Sequence, residues 1–183
     1  MRPDEQDEDL WVFGYGSLIW QPGFEFVESV PGTLHGFARS FCMWSVHYRG
    51  SRRSPGLVLA LKPQPGSFCR GLAFRVEASH GDAVLEVLRD RELMASAYRE
   101  EWQTVELEDE RRVSAVCYVV DTGHELYSGE LSIEEQADII GRSFGERGHN
   151  REYLFRTCER LESLGIVDSD LVELAGAVAR PDR

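Results

Sequence analysis

The 183-residue sequence predicts an α+β fold whose strands curl into a small barrel or a strongly bent sheet. Two observations predict it. Six short runs rich in β-branched, aromatic and aliphatic residues are separated by Gly and Pro, with one helical pattern among them. The last third of the chain then changes to helical periodicity.

Taken in order, the expected strands are residues 11–14, 36–44, 57–61, 71–76, 103–107 and 113–120, punctuated by Pro31-Gly32, Pro55-Gly56 and Pro65-Gly66. Helical spacing predicts a first helix over 80–93. A second is predicted over 132–143, where Ser132 and Glu135 have capping-box spacing. A third starts at Asn150, a good N-cap, with Leu154, Cys158, Leu161 and Leu164 on one stripe before Gly165. A short helix over 169–179 closes the chain. Residues 1–10 read as an acidic flexible lead-in. With no long Pro/Gly/Ser linker and no repeat, residues 11–183 are expected to form one domain.

Composition narrows the function. A formal charge of −12 opposes non-specific nucleic-acid binding, which needs clustered Lys and Arg, but leaves room for a small anionic ligand. No basic leader and no apolar run of membrane-spanning length is visible, so a cytoplasmic protein without a membrane partner is expected. Cys42, Cys69, Cys117 and Cys158 are far apart, form no CxxC pair and read as reduced core residues. His35, His47, His80, His124 and His149 are scattered, so no metal site is expected.

Three stretches can carry chemistry. In "VFGYGSLIW", residues 12–20, a strand runs into a turn where glycines flank Tyr15. Successive N–H groups in such a turn can form a nest for an anionic or carbonyl oxygen, although the same turn serves as plain structure in many proteins. GxGxxG and P-loop patterns are absent, and Ser17 lacks a GxSxG context.

The second stretch is "VLRDRELMASAY", residues 87–98. On a helical wheel Val84, Val87 and Leu88 form the apolar centre, Arg91 falls near it and Glu92 on its shoulder. Two accounts follow: Arg91 offsets the helix C-terminal dipole beside a solvated Glu92, or Glu92 turns into a partly dry cavity and becomes a proton acceptor near neutral pH. The third is "GHNREYLF", residues 148–155, with Tyr153 in the first helical turn, off the apolar stripe. Its hydroxyl is either offered to a ligand or belongs to a boundary aromatic.

These stretches, together with "HYRGSRRSPGLVLAL" at 47–61, resemble in order and spacing the ChaC family of glutathione-specific γ-glutamylcyclotransferases over about residues 11–179. The resemblance implies a small mixed β-barrel with surrounding helices and no cofactor. It also implies conversion of glutathione to 5-oxoproline and cysteinylglycine. It places the catalytic carboxylate at Glu92 and the glutamyl-binding loop at Tyr15, Gly16, Ser17, Leu18, Ile19 and Trp20. Tyr98 and Tyr153 match pocket tyrosines, and Arg39 matches an arginine of the second strand without a stated role. Ser96-Ala97 stands where many eukaryotic members have two glycines, which bears on substrate breadth.

The implied chemistry is economical in groups. A γ-glutamyl substrate carries its own nucleophile, the α-amine, so the protein must supply placement and one base. Two rivals remain: a cyclotransferase for other γ-glutamyl amines or amino acids, and a non-catalytic γ-glutamyl-binding module. Oligomeric state is not legible.

Overall fold

The computed structural model describes residues 8–92 and 97–180. Most of the acidic lead-in, residues 1–7, therefore lies outside the described residues. The chain folds into two compact units, one of residues up to Arg39 with Leu61–Asp121, the other of Ser40–Ala60 with the chain from Thr122 onward. Strands β2 (Glu28–Ser45) and β3 (Gly56–Val76) each pass from one unit into the other along the chain.

The first unit carries a closed barrel. Strand β1 (Leu10–Gly14) pairs antiparallel with β3 and parallel with β5 (Arg112–Val120). Strand β4 (Tyr98–Leu107) pairs antiparallel with β5 and with β2, completing the order β1-β3-β2-β4-β5. Period-two alternation sets its inside: Trp11, Phe13 and Tyr15, Val105 and Leu107, Ala115, Cys117 and Val119 all join one buried cluster. The intervening Val12, Val116, Tyr118 and Val120 point the other way and are buried as well. Helix α1 (Ala78–Glu92) lies against that outer face, since Arg89 donates to Glu100 of β4 at 2.8 and 2.7 Å.

Two expected breaks are absent. Segments 57–61 and 71–76 are parts of one strand, because Pro63 and Pro65 sit in its exposed stretch, where a missing ladder N–H costs little. Pro31-Gly32 is likewise inside β2: Gly32 pairs with Leu107, and a Cβ there would meet Val105 Cγ1 at 2.7 Å. The first strand starts one residue earlier than expected, at Leu10. Asp9 before it accepts from Arg75 at 2.6 Å and from the Ala78 N–H at 3.0 Å.

The second unit contains helices α2 (Ile133–Arg142), α3 (Asn150–Ser163) and α4 (Ser169–Val178) and a two-stranded sheet of β6 (Phe144–Gly145) and β7 (Gly148–His149). The capping box of Ser132 and Glu135 is present at the start of α2. Asn150 is not the cap of α3: His149 holds that position, and the Asn150 side chain instead bonds both backbone groups of Leu57 at 2.7 Å. The buried stripe of α3 runs through Asn150, Tyr153, Leu154, Thr157 and Leu161, so Tyr153 lies on it rather than off it. Cys42, Cys69 and Cys117 are buried thiols, and Cys158 is partly buried. Among the described residues no helix is long and apolar enough to cross a membrane.

Candidate active site

Strand β1 delivers the loop. Gly14 ends the strand where a Cβ would meet Leu18 Cβ and Phe74 Cε2 at 3.1 Å, so a side chain there would push these neighbours back by a few tenths of an ångström. Tyr15 and Gly16 lead into a single 3-10 turn, Ser17–Ile19, in which the Ile19 N–H reaches the Gly16 carbonyl at 3.1 Å and the Trp20 N–H the Ser17 carbonyl at 3.2 Å. The N–H groups of Gly16, Ser17 and Leu18 take no acceptor among the described residues. They run in succession, as a nest requires. The side chain of Leu18 is buried, which leaves its backbone N–H as the part available to a ligand.

Several side chains tie this loop down. The Tyr15 hydroxyl donates to the Tyr118 carbonyl at 2.7 Å. Arg39 donates from Nε to the Tyr15 carbonyl at 2.6 Å and from its other end to the Arg70 carbonyl. That is a structural task for the residue whose role was open: Arg39 fixes the backbone where the loop begins.

Arg91 clamps the far side. It donates to Ser17 Oγ at 2.9 Å, to the Gln21 carbonyl at 2.9 Å and to the Pro22 carbonyl at 3.1 Å. Gly23, with φ of 78°, turns the chain beside that guanidinium, whose Nη1 would stand 3.3 Å from a Cβ there. Neither sequence account of Arg91 included this contact.

The wheel centred α1 slightly wrongly. Val87 is 49% exposed, and the buried stripe is Gly81, Val84, Leu85 and Leu88, which continues through Arg91 and Glu92. Both side chains are accordingly shielded, 20% and 19% exposed, with Arg91 Nε 3.2 Å from Glu92 Oε1. A fully solvated Glu92 does not fit that burial.

Strand β5 carries a group that the sequence reading missed. Tyr118 is 1% exposed and donates its hydroxyl to Glu100 at 3.3 Å. Arg89 grips Glu100 with two hydrogen bonds and holds its carboxyl below the usual range, against the opposing effect of burial. Burial pushes the Tyr118 phenol up, and the charges of Glu100 and then Glu92 push it further. A lone hydroxyl in the apolar run "AVCYVV" was the available signal.

Tyr98 opens β4 opposite Val120, half-buried and two residues from Glu100. Tyr153 belongs to the second unit, where its hydroxyl accepts from the Leu59 N–H at 3.4 Å and its ring packs edge-on against Phe41. Residues 93–96, including Ser96, lie outside the described residues; Ala97 is buried. A cleft of about 420 Å³ on the first unit is lined by Glu25, Phe26, Val27, Val76, Glu77 and His80 and shares no residue with the cluster. We place the candidate site at the cluster, because the cleft lacks a shielded carboxylate and its His80 already faces Ser79 and Glu77.

Known proteins resemble this chain along nearly its whole length. The family described as "ChaC-like protein" matches residues 10–181. A glutathione-specific γ-glutamylcyclotransferase of Escherichia coli is 36% identical over 179 residues, covering 98% of this chain and 76% of that protein. A glutathione-specific γ-glutamylcyclotransferase 1 of Homo sapiens is 31% identical over 181 residues, covering 97% and 82%. The crystal structure of a yeast γ-glutamyl cyclotransferase specific to glutathione superposes with a TM-score of 0.85 at 24% identity, covering 93% of this chain and 95% of that one, so the fold is shared. A family match over nearly the whole length, with a relative more than a third identical across it, has one reading: the chain belongs to the ChaC-like protein family.

Proposed function

We propose that the chain is a γ-glutamylcyclotransferase that cleaves glutathione to 5-oxoproline and cysteinylglycine, with Glu92 as general base and then general acid. One observation carries the residue assignment. Arg91 holds the loop of unpartnered N–H groups while the adjoining Glu92 is shielded beside it, so a carboxylate and a set of oxygen-binding donors are held by neighbouring residues of one helix end.

The steps follow from the substrate. Its α-ammonium gives a proton to the Glu92 carboxylate; the freed amine attacks the γ-carbonyl carbon, and a C–N bond closes the five-membered ring. The carbonyl oxygen takes the negative charge and accepts hydrogen bonds from the Gly16, Ser17 and Leu18 N–H groups. Removing one such donor costs roughly 3–4 kcal/mol in comparable sites. As the carbonyl re-forms, the bond to the cysteinyl nitrogen breaks and Glu92 returns the first proton to that nitrogen; Glu92 then takes the second proton that the ring nitrogen must lose and passes it to the departing amine, which leaves as an ammonium. The protein gains rate chiefly by holding the amine near the carbonyl. Tyr15, Ile19, Trp20, Arg39 and Tyr98 shape or brace the glutamyl end in this reading, and Tyr153 supports the second unit. A cytoplasmic setting suits the free thiols, and the charge of −12 argues against polyanion partners.

The test is to incubate the full chain with glutathione, γ-Glu-Ala and ε-(γ-glutamyl)lysine and to measure 5-oxoproline. Release from glutathione in preference is expected. Glu92→Gln should lower kcat by about 10² or more while glutathione still binds. No 5-oxoproline from any substrate would overturn the function, and a fully active Glu92→Gln would move the base elsewhere.

A further inference from the structure

Each loop N–H assigned to the oxyanion belongs to a peptide unit whose carbonyl is held by another group. The described peptide bonds are trans, so within each unit the N–H points away from the C=O, and a partner that fixes one direction fixes the other. The Gly16 carbonyl, which shares its peptide with the Ser17 N–H, accepts from the Ile19 N–H at 3.1 Å. The Ser17 carbonyl, joined in the same way to the Leu18 N–H, accepts from Trp20 at 3.2 Å and from Gln21 at 2.8 Å. The turn therefore aims its second and third donors through its own backbone.

The first donor is aimed by a side chain. The Gly16 N–H shares its peptide with the Tyr15 carbonyl, and that carbonyl accepts from Arg39 Nε of β2 at 2.6 Å. The other end of the same guanidinium donates to the Arg70 carbonyl of β3. The register of β1 on β3 ends at Gly14 opposite Leu72, and two residues further it would set Gly16 opposite Arg70. Arg39 thus occupies the strand carbonyl that would face Gly16, and the Gly16 N–H is left for a ligand.

We propose that Arg39 is the positioning residue of the oxyanion-binding loop: by holding the Tyr15 carbonyl it aims the Gly16 N–H at the γ-carbonyl oxygen of the substrate. Its positive charge also draws electron density through that amide, which makes the N–H a stronger donor. The inference rests on the reading of the loop as the oxyanion site of a cyclotransferase. Arg39 acts from the carbonyl side of the peptide, away from the substrate oxygen, and neither gains nor loses a proton. Because the oxygen carries its full charge only beyond the ground state, a well-aimed donor should act on kcat and not on KM.

Arg39→Met keeps an unbranched stem and removes every donor. We expect its kcat for glutathione to fall by about tenfold or more, approaching the roughly 10²-fold of a donor removed outright, with KM within about twofold of wild type. In 15N-labelled protein the Gly16 amide resonance should move while those of Ser17 and Leu18 stay, since an amide nitrogen senses the hydrogen bond at the carbonyl of its own peptide. A residue that served packing alone would lower the melting temperature and disturb the three amides alike. Arg39→Lys, whose ammonium can reach one carbonyl but cannot fork to both, should fall between wild type and Arg39→Met in kcat and in the Gly16 shift, and it serves if Arg39→Met does not fold. A folded variant with wild-type kcat, with its loss in KM, or with all three amides displaced equally overturns the role of Arg39, while a wild type that still releases 5-oxoproline leaves the cyclotransferase reading in place. No 5-oxoproline from the wild type overturns both.

Discussion

At the scale of single residues, Ser17 and Arg91 meet in one contact with unequal consequences. Ser17→Ala removes one of three acceptors and leaves Arg91 bound to the Gln21 and Pro22 carbonyls. Its kcat/KM should fall by no more than about tenfold, the scale of one ordinary hydrogen bond. Arg91→Ala removes all three donors and lets the loop move relative to Glu92, so a loss on the order of 10²-fold is expected. Arg91→Lys should recover little, since an ammonium cannot fork to three acceptors spread along the loop. Steady-state kinetics with a thermal melt for each variant checks the ranking. A dead but folded Ser17→Ala beside a working Arg91→Ala would reassign the work to the hydroxyl. The partners of Arg91 lie about seventy positions away in sequence, which is why helical periodicity could bring it to the edge of the buried face and not say what it grips.

Among the elements, the Asn150 contact fastens the start of α3 to β3. Both of its amide groups bond the backbone of Leu57, and the residue is 0% exposed. Asn150→Ala would leave a buried N–H and a buried carbonyl unpaired, at a cost of about 2–4 kcal/mol in chemical denaturation. Asn150→Asp should do no better, because a carboxylate oxygen would then face the Leu57 carbonyl. A loss below about 0.5 kcal/mol would mean that other groups replace both bonds. Asparagine before an apolar stripe does read as a cap, but here the preceding His149 takes the non-helical position and frees the amide for a strand far away in sequence. The α1 stripe was misplaced for a related reason. Val87 and Leu85 are equally apolar to a wheel, and which of them is covered depends on the barrel face against which the helix lies.

For the whole molecule, acid is the condition that should unfold it. Arg111 holds Glu28 and Asp109 below the usual carboxylate range, Arg89 does so for Glu100, His35 and Arg112 for Glu106, and the Ser132 N–H and hydroxyl for Glu135. A carboxylate with a depressed folded value contributes its stability fully above the unfolded pKa and loses it as pH falls through the folded one. The melting temperature should therefore stay level from pH 7 to about 5 and drop below about pH 4. A melt unchanged at about pH 3 would show that these mostly exposed pairs contribute nothing measurable.

By itself the sequence determined the α+β class, the four helices, the position of the barrel strands, with β3 read as two, and the loop at residues 12–20, but not the short strands β6 and β7. Each of these rests on local spacing, turn chemistry or composition, which neighbouring residues carry. The matched stretches also singled out Glu92 and the family. Only the tertiary structure decided that β2 and β3 run unbroken past their prolines, because exposure on a strand is set by what lies beside it. It alone shielded Glu92, put Tyr153 on the buried stripe and joined Tyr15, Tyr118, Glu100 and Arg89 into one network. Those contacts join residues from 11 to 103 positions apart, and a hydrogen bond across that distance leaves no period in the chain for a sequence reading to detect.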